Sequence, residues 1–251
     1  MGWTVRPKDT NDELVIGIGA TTDKDGQPIL GLMNIFNGNG KYIYGKVTSV
    51  TSMEDYQKML ERTLSSNIKE YISAGILDSS KIFRIIFHIF KPAGKNNEIK
   101  SLMNVIDKLS NYSFEYAFIH IGAGHNYRFF TYEGNLSNPK FILKGNSSIN
   151  ERGTSIKINK HLGFIGLSEK SSTFIKVQVD NRSSFKSFDL DYLINQVYQF
   201  TELSHTSYNK SGKPVTIRYP SLMAHLTEQL KEINGFDLDV IDSPDNSLWF
   251  I

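Results

Sequence analysis

There is no cysteine among the 251 residues of the chain. That excludes a disulfide framework and any thiolate metal site, and it fits an intracellular setting. No apolar run approaches the roughly 20 residues that a helix needs to cross a bilayer. The N-terminus carries no apolar signal-peptide core. A large charge excess is also missing, since 28 Lys and Arg against 26 Asp and Glu leave a net +2. So mild a balance does not demand a polyanionic partner, although it leaves room for a local basic face. Internal repeats, low-complexity tracts and obvious linkers are lacking too. With 39% hydrophobic and 22% charged residues, the chain has a globular composition and enough length to bury a large core. The expectation is one continuous, soluble, cytoplasmic domain over residues 1–251, with 1–12 as a lead-in segment.

Turn residues and periodicity give the order of elements. Residues 13–19, 29–36 and 41–47 read as three short strands, with Gly26-Gln-Pro28 and Asn37-Gly-Asn-Gly40 as the turns of a meander. Thr51 and Glu54 have the spacing of a capping box. The helix that follows repeats Tyr56, Met59, Leu60, Leu64, Ile68, Tyr71 and Ile72 at helical spacing and stops before Gly75. Residues 81–90 and 114–121 are β-branched and aromatic strands. Between them lies a helix capped by Asn96 or Asn97, with Ile99, Leu102, Met103, Ile106 and Leu109 as its apolar stripe. The series strand, helix, strand implies parallel pairing with right-handed crossovers. Further strands are expected near 127–132, 140–144, 154–158, 162–167, 174–179 and 215–218. Helices are expected over 188–203 and about 221–234.

The most informative segment is Leu203-Ser-His-Thr206, which sets His205 between a helical pattern and a short strand. Lys210, Lys213 and Arg218 follow closely, and Arg152 precedes Gly153-Thr154. Taken with Val15–Phe36, Phe114–Tyr132 and Glu151–Leu167 in that order, the segment resembles the end of an Argonaute PIWI domain. The resemblance implies an α/β, ribonuclease H-like PIWI fold. Its mixed central sheet would carry helices on both faces, with a βββαβαβ core followed by C-terminal strands and helices.

A ribonuclease H-like nuclease cuts with two divalent cations, and hard cations need carboxylate oxygens to hold them. Here the first strand reads Val-Ile-Gly-Ile-Gly, and Gly19 stands where the family's first Asp would be. Asp23 and Asp25 lie past the strand and read as solvated turn residues. In the fifth strand, Gly122 or a neighbour takes the place of a second acid. His120 and His125 are alternatively metal ligands or structural residues. Glu54 and Asp55 fall where the family has its glutamate finger, but a capping role accounts for Glu54 more simply. His205 alone keeps a tetrad position, where it contacts a nucleic-acid backbone or hydrogen-bonds locally.

The likeness is closest to the short prokaryotic Argonautes that lack the catalytic acids, so no catalytic residue is expected. It implies binding of guide and target nucleic acid, usually guide RNA with target DNA, through His205, Lys210, Lys213, Arg218 and Arg152. It further implies a Mg²⁺-assisted grip on the guide 5′ phosphate by Lys210 and the C-terminal carboxylate of Ile251. About a dozen residues precede the first strand, so the MID domain is expected in cis beyond this sequence or in trans. The implied partner is an APAZ-containing effector in antiviral defence. Two alternatives stand beside this reading. One is a metal-dependent nuclease with a rearranged site at Asp23, Glu54 and His205; the other is a protein-interaction scaffold without nucleic acid.

Overall fold

A computed structural model describes residues 12–22, 28–49, 52–75, 77–78, 80–90, 98–127, 129–133, 140–143, 154–166, 174–184, 189–203, 212–231 and 233. The strands are β1 (Glu13–Thr22), β2 (Pro28–Asn37), β3 (Tyr42–Ser49), β4 (Phe83–Ile89), β5 (Phe114–Gly122), β6 (Phe130–Glu133), β7 (Lys140–Leu143), β8 (Thr154–Asn159), β9 (Leu162–Gly166) and β10 (Phe174–Val179). The helices are α1 (Met53–Ser73), α2 (Glu98–Lys108), α3 (Leu190–Glu202) and α4 (Val215–Lys231).

Eight strands form one sheet in the order β3-β2-β1-β4-β5-β10-β9-β8, and β6 pairs with β7 in a separate hairpin. The β1–β2–β3 meander is antiparallel. β1, β4 and β5 run parallel, as the intervening helices require. β10, β9 and β8 then add antiparallel neighbours. The sheet is therefore mixed, as expected.

Alternation along the strands divides the core into two faces. Leu14, Ile16, Ile18, Met33, Ile35, Phe87, Ile89 and Phe118 pack with the apolar stripes of α1 and α2. The opposite face receives α3 and α4: Ile86, Ile119 and Val177 meet Leu193 and Val197, and Val15 and Phe36 meet Phe200, Val215 and Tyr219. Within the first layer, Tyr56 on α1 donates to the buried carboxylate of Glu98 on α2 at 3.0 Å.

Two local expectations need correction. The β-branched run Val215–Arg218, expected as a strand, is the first turn of α4. Pro214 sits just ahead of it, and its carbonyl accepts from the amides of Ile217 and Arg218, both at 2.9 Å. A proline suits a helix start, and burial of Val215 and Ile217 (0% and 5% exposed) outweighs the strand preference of the run. The α1 cap is also one residue later than expected. Ser52 Oγ accepts from the Asp55 amide at 3.1 Å and donates to the Asp55 carboxylate at 2.9 Å, so Ser52 and Asp55 form the pair. Glu54 is left exposed, paired with Lys58 at 2.6 Å.

Pro220 lies inside α4. Proline has no amide hydrogen to give the carbonyl four residues back, and its ring pushes that carbonyl away. The carbonyl in question belongs to Thr216, and it presses onto β1 at Gly17. A Cβ on Gly17 would lie 2.0 Å from the Thr216 oxygen. The absence of a side chain at Gly17 is thus what allows α4 to reach the sheet.

Candidate functional site

The parallel strands β1 and β4 end side by side, with Ile18 opposite Ile89 as the last paired residues. Ile18 and Ile89 both face α1 and α2, so the next residues, Gly19 and Phe90, turn to the α4 face. Their neighbours agree with this. A Cβ on Gly19 would meet Pro220 at 3.8 Å, and the ammonium of Lys213, just ahead of α4, lies 4.8 Å over the Phe90 ring. Adjacent strands are about 4.8 Å apart, so two side chains here would share one small volume at the C-terminal edge of the sheet.

Gly122 does not join them. Its neighbour two residues back, His120, pairs with Ile89, which places Gly122 on the α1 and α2 face, one strand beyond β4. The space around it is open, with nothing within 4 Å of an added Cβ. The residue that adjoins Gly19 at this edge is Phe90, which is 45% exposed; Gly122, the position expected from the sequence, lies one strand further along. In the sheet β4, not β5, lies directly beside β1.

Both candidate histidines of this region have structural partners. His120 is buried, with Nε2 3.5 Å from the Asp180 carboxylate. Asp180 is clamped by Arg182 at 2.7 and 2.8 Å. That hydrogen bonding, chiefly from Arg182, holds Asp180 down at about 2. The Nε2 of His125 lies 2.7 Å from the Phe174 carbonyl, and its ring packs edge-on against Phe164 at 5.0 Å. Glu54 and Asp55 are exposed at the start of α1, the helix over the other face. Among the described residues, no group of three or more His, Asp or Glu side chains is arranged to hold a metal ion. Arg218 sits half-buried in the first turn of α4. Asp23, Asp25, Arg152, His205, Lys210 and Ile251 lie outside the described residues, so the magnesium-assisted phosphate grip remains an expectation.

Behind the site lies a buried polar network that sequence reasoning did not find. Glu13, at the start of β1, accepts from Tyr192 at 2.7 Å and from Gln196, both on α3, with Arg84 of β4 at 3.7 Å. Burial is the main reason its carboxyl is pushed up to about 7. His88 of β4 is fully buried, with Nδ1 2.7 Å from the Thr216 hydroxyl of α4. Burial pushes its imidazole down to about 3, against the opposing effect of Gln196. Through these groups both α3 and α4 are tied to the parallel strands that carry the site.

The meander followed by parallel β4 and β5 with crossover helices defines a ribonuclease H-like fold. Within that class the architecture is the PIWI fold of Argonaute proteins, as the comparisons bear out. The chain is 25% identical over 250 residues to the protein argonaute of Cereibacter sphaeroides, covering 92% of this chain and 32% of that protein. It is 18% identical to the Piwi protein of Archaeoglobus fulgidus, covering 90% of this chain and 55% of that protein. It therefore spans about a third and about half of these two curated relatives. No family model matches the chain. The structure of Marinitoga piezophila Argonaute with 5′ OH guide RNA and target DNA superposes with a TM-score of 0.64 at 13% identity, covering 86% of this chain and 30% of that one. That of Clostridium butyricum Argonaute with a guide DNA and a 19-mer target DNA gives 0.62 at 14% identity, covering 90% and 28%. No helix among the described residues is long and apolar enough to cross a membrane.

Proposed function

We propose that this chain is the PIWI part of a short prokaryotic Argonaute, which holds a nucleic-acid guide and its complementary target without cutting either. The observation that carries the proposal is the pair Gly19 and Phe90. A two-metal nuclease needs converging carboxylates to hold its cations, and the adjoining ends of β1 and β4 carry a hydrogen and a phenyl ring, which supports a reading without cleavage. The Lys213 ammonium beside them supplies the kind of group that pairs with phosphate. Likeness to Argonautes solved with guide and target strands supports the choice of ligand. On this reading, target recognition passes to an APAZ-containing effector in antiviral defence, with a MID domain in cis or trans completing the guide pocket.

The test uses this chain together with its MID segment, loaded with a guide RNA, a labelled complementary DNA target, and Mg²⁺ or Mn²⁺. The expected result is target binding that weakens steeply as salt rises, with the target intact after prolonged incubation. Metal-dependent cleavage of the label overturns the reading, and so does an absence of salt-sensitive binding. Lys213→Glu is expected to weaken target binding about tenfold at low salt and to reduce the salt dependence, as loss of a phosphate contact does.

A further inference from the structure

A second cation-lined site lies on the other face of the sheet, at its β3 edge. Tyr44 and Lys46 pair with Ile35 and Met33, whose side chains belong to the α1 and α2 core. Tyr44 and Lys46 therefore point towards α1. Two neighbouring rows of that helix complete a cleft of about 530 Å³: Lys58, Arg62 and Ser66, and Met59, Thr63 and Asn67. Residues four apart stack on one helix face, so each row presents its groups in line. The lining holds three cations and no carboxylate. Glu54 pairs with Lys58 outside it, but both partners are largely exposed, at 73% and 69%, and such pairs are weak.

Asn67 points to a ligand independently of the charges. It is 8% exposed, and its Nδ2 has no hydrogen-bond partner among the described residues. A buried amide donor left unpaired is costly, and an anion seated in the cleft would accept from it. The volume lies within the roughly 300–1,000 Å³ of small-molecule sites, larger than a single phosphate requires.

We propose that the cleft between β3 and α1 binds a clustered phosphate group, as carried by a nucleoside polyphosphate or by the phosphorylated end of an oligonucleotide. Lys46, Lys58 and Arg62 would neutralise the phosphates, Asn67, Thr63 and Ser66 would donate to their oxygens, and Tyr44 would flank the attached base. This site is distinct from the Gly19–Phe90 edge and does not depend on guide binding there.

Calorimetric titration of the chain with inorganic pyrophosphate, and separately with ATP, tests the proposal. Saturable binding of either probe is expected, with affinity reduced at least about tenfold in Lys46→Glu/Arg62→Glu. Arg62 is exposed and Lys46 partly so, so the double variant is expected to melt like the parent, which a thermal scan checks. Asn67→Leu, which removes the buried donor without altering charge, is expected to weaken binding as well. Competition by a 5′-phosphorylated oligonucleotide, but not by its 5′-hydroxyl counterpart, would assign the phosphate to a strand end. Failure of both to compete would assign it to a free nucleotide. The proposal is overturned if neither probe binds at millimolar concentration, or if binding survives the folded double variant unchanged.

Discussion

Gly17→Ala is expected to destabilise the protein by about 3 kcal/mol, the upper range for forced overpacking, and so to lower the Tm by roughly 6–12 °C. Gly19→Ala, two residues along the same strand, is expected to change it little. The difference lies in what each new methyl group meets. At Gly17 it would overlap the Thr216 backbone oxygen at 2.0 Å, and backbone cannot swing aside as a side chain does. At Gly19 the nearest atom is the Pro220 Cβ at 3.8 Å, an ordinary contact. There the lower unfolded-state entropy of alanine offsets any small strain. Thermal and denaturant unfolding of the two variants, side by side, measure this. Equal melting of Gly17→Ala and the parent would show that α4 does not sit against β1 as described.

The second large effect concerns acid. The folded state holds His88 down at about 3, whereas the unfolded imidazole titrates near 6.5. Between those values the unfolded chain binds the additional proton. His88 therefore contributes stability that is complete above pH 6.5 and is lost progressively as the pH falls towards 3. By pH 5 the loss is about 2 kcal/mol, taking 1.36 kcal/mol per pH unit. Glu13 acts in the opposite sense. Its folded value of about 7 lies above the ordinary 4.5, so its contribution is greatest below pH 4.5 and is lost as the pH rises through 7. The two slopes oppose one another from about pH 4.5 to 6.5 and mask each other in the parent protein. His88→Gln, which keeps a polar group towards Thr216 but does not titrate, is expected to remove the acid-side loss. The comparison is of unfolding free energies at pH 6.5 and 5.0. A gap between parent and variant that stays constant across these pH values would refute the assignment. Glu13→Gln is expected to steepen the acid-side loss by removing the opposing slope.

Much of this architecture was legible in the sequence because local signals and burial agree. The meander turns at Asn37–Gly40, the apolar stripe of α1 and the β-branched runs of β4 and β5 all fall where patterning places them. Gly40 takes a positive φ of 83°, as its tight turn requires. The 215–218 segment was not legible, because Val-Thr-Ile prefers a strand until the preceding proline and the waiting surface of β1 are taken into account. The pairing of Gly19 with Phe90 at the sheet edge was half legible. Gly19 could be found by its place in the first strand. Phe90 could not, because strand order is a tertiary fact: β4 follows β3 in sequence but lies next to β1 in space. The Glu13–Gln196 and His88–Thr216 contacts join residues separated by more than 120 positions, which no local pattern reports.

The fit of Thr216 against Gly17 also acts as an alignment key. Sliding α4 along β1 by two strand residues towards Glu13 would set the displaced carbonyl against the Cβ of Val15, the preceding residue on the same face. The fit at Gly17 holds the helix, which begins two residues after Lys213. Whatever ligand meets the edge of this sheet therefore meets a cation whose position is set by a missing methyl group and a proline, both well behind the surface it touches.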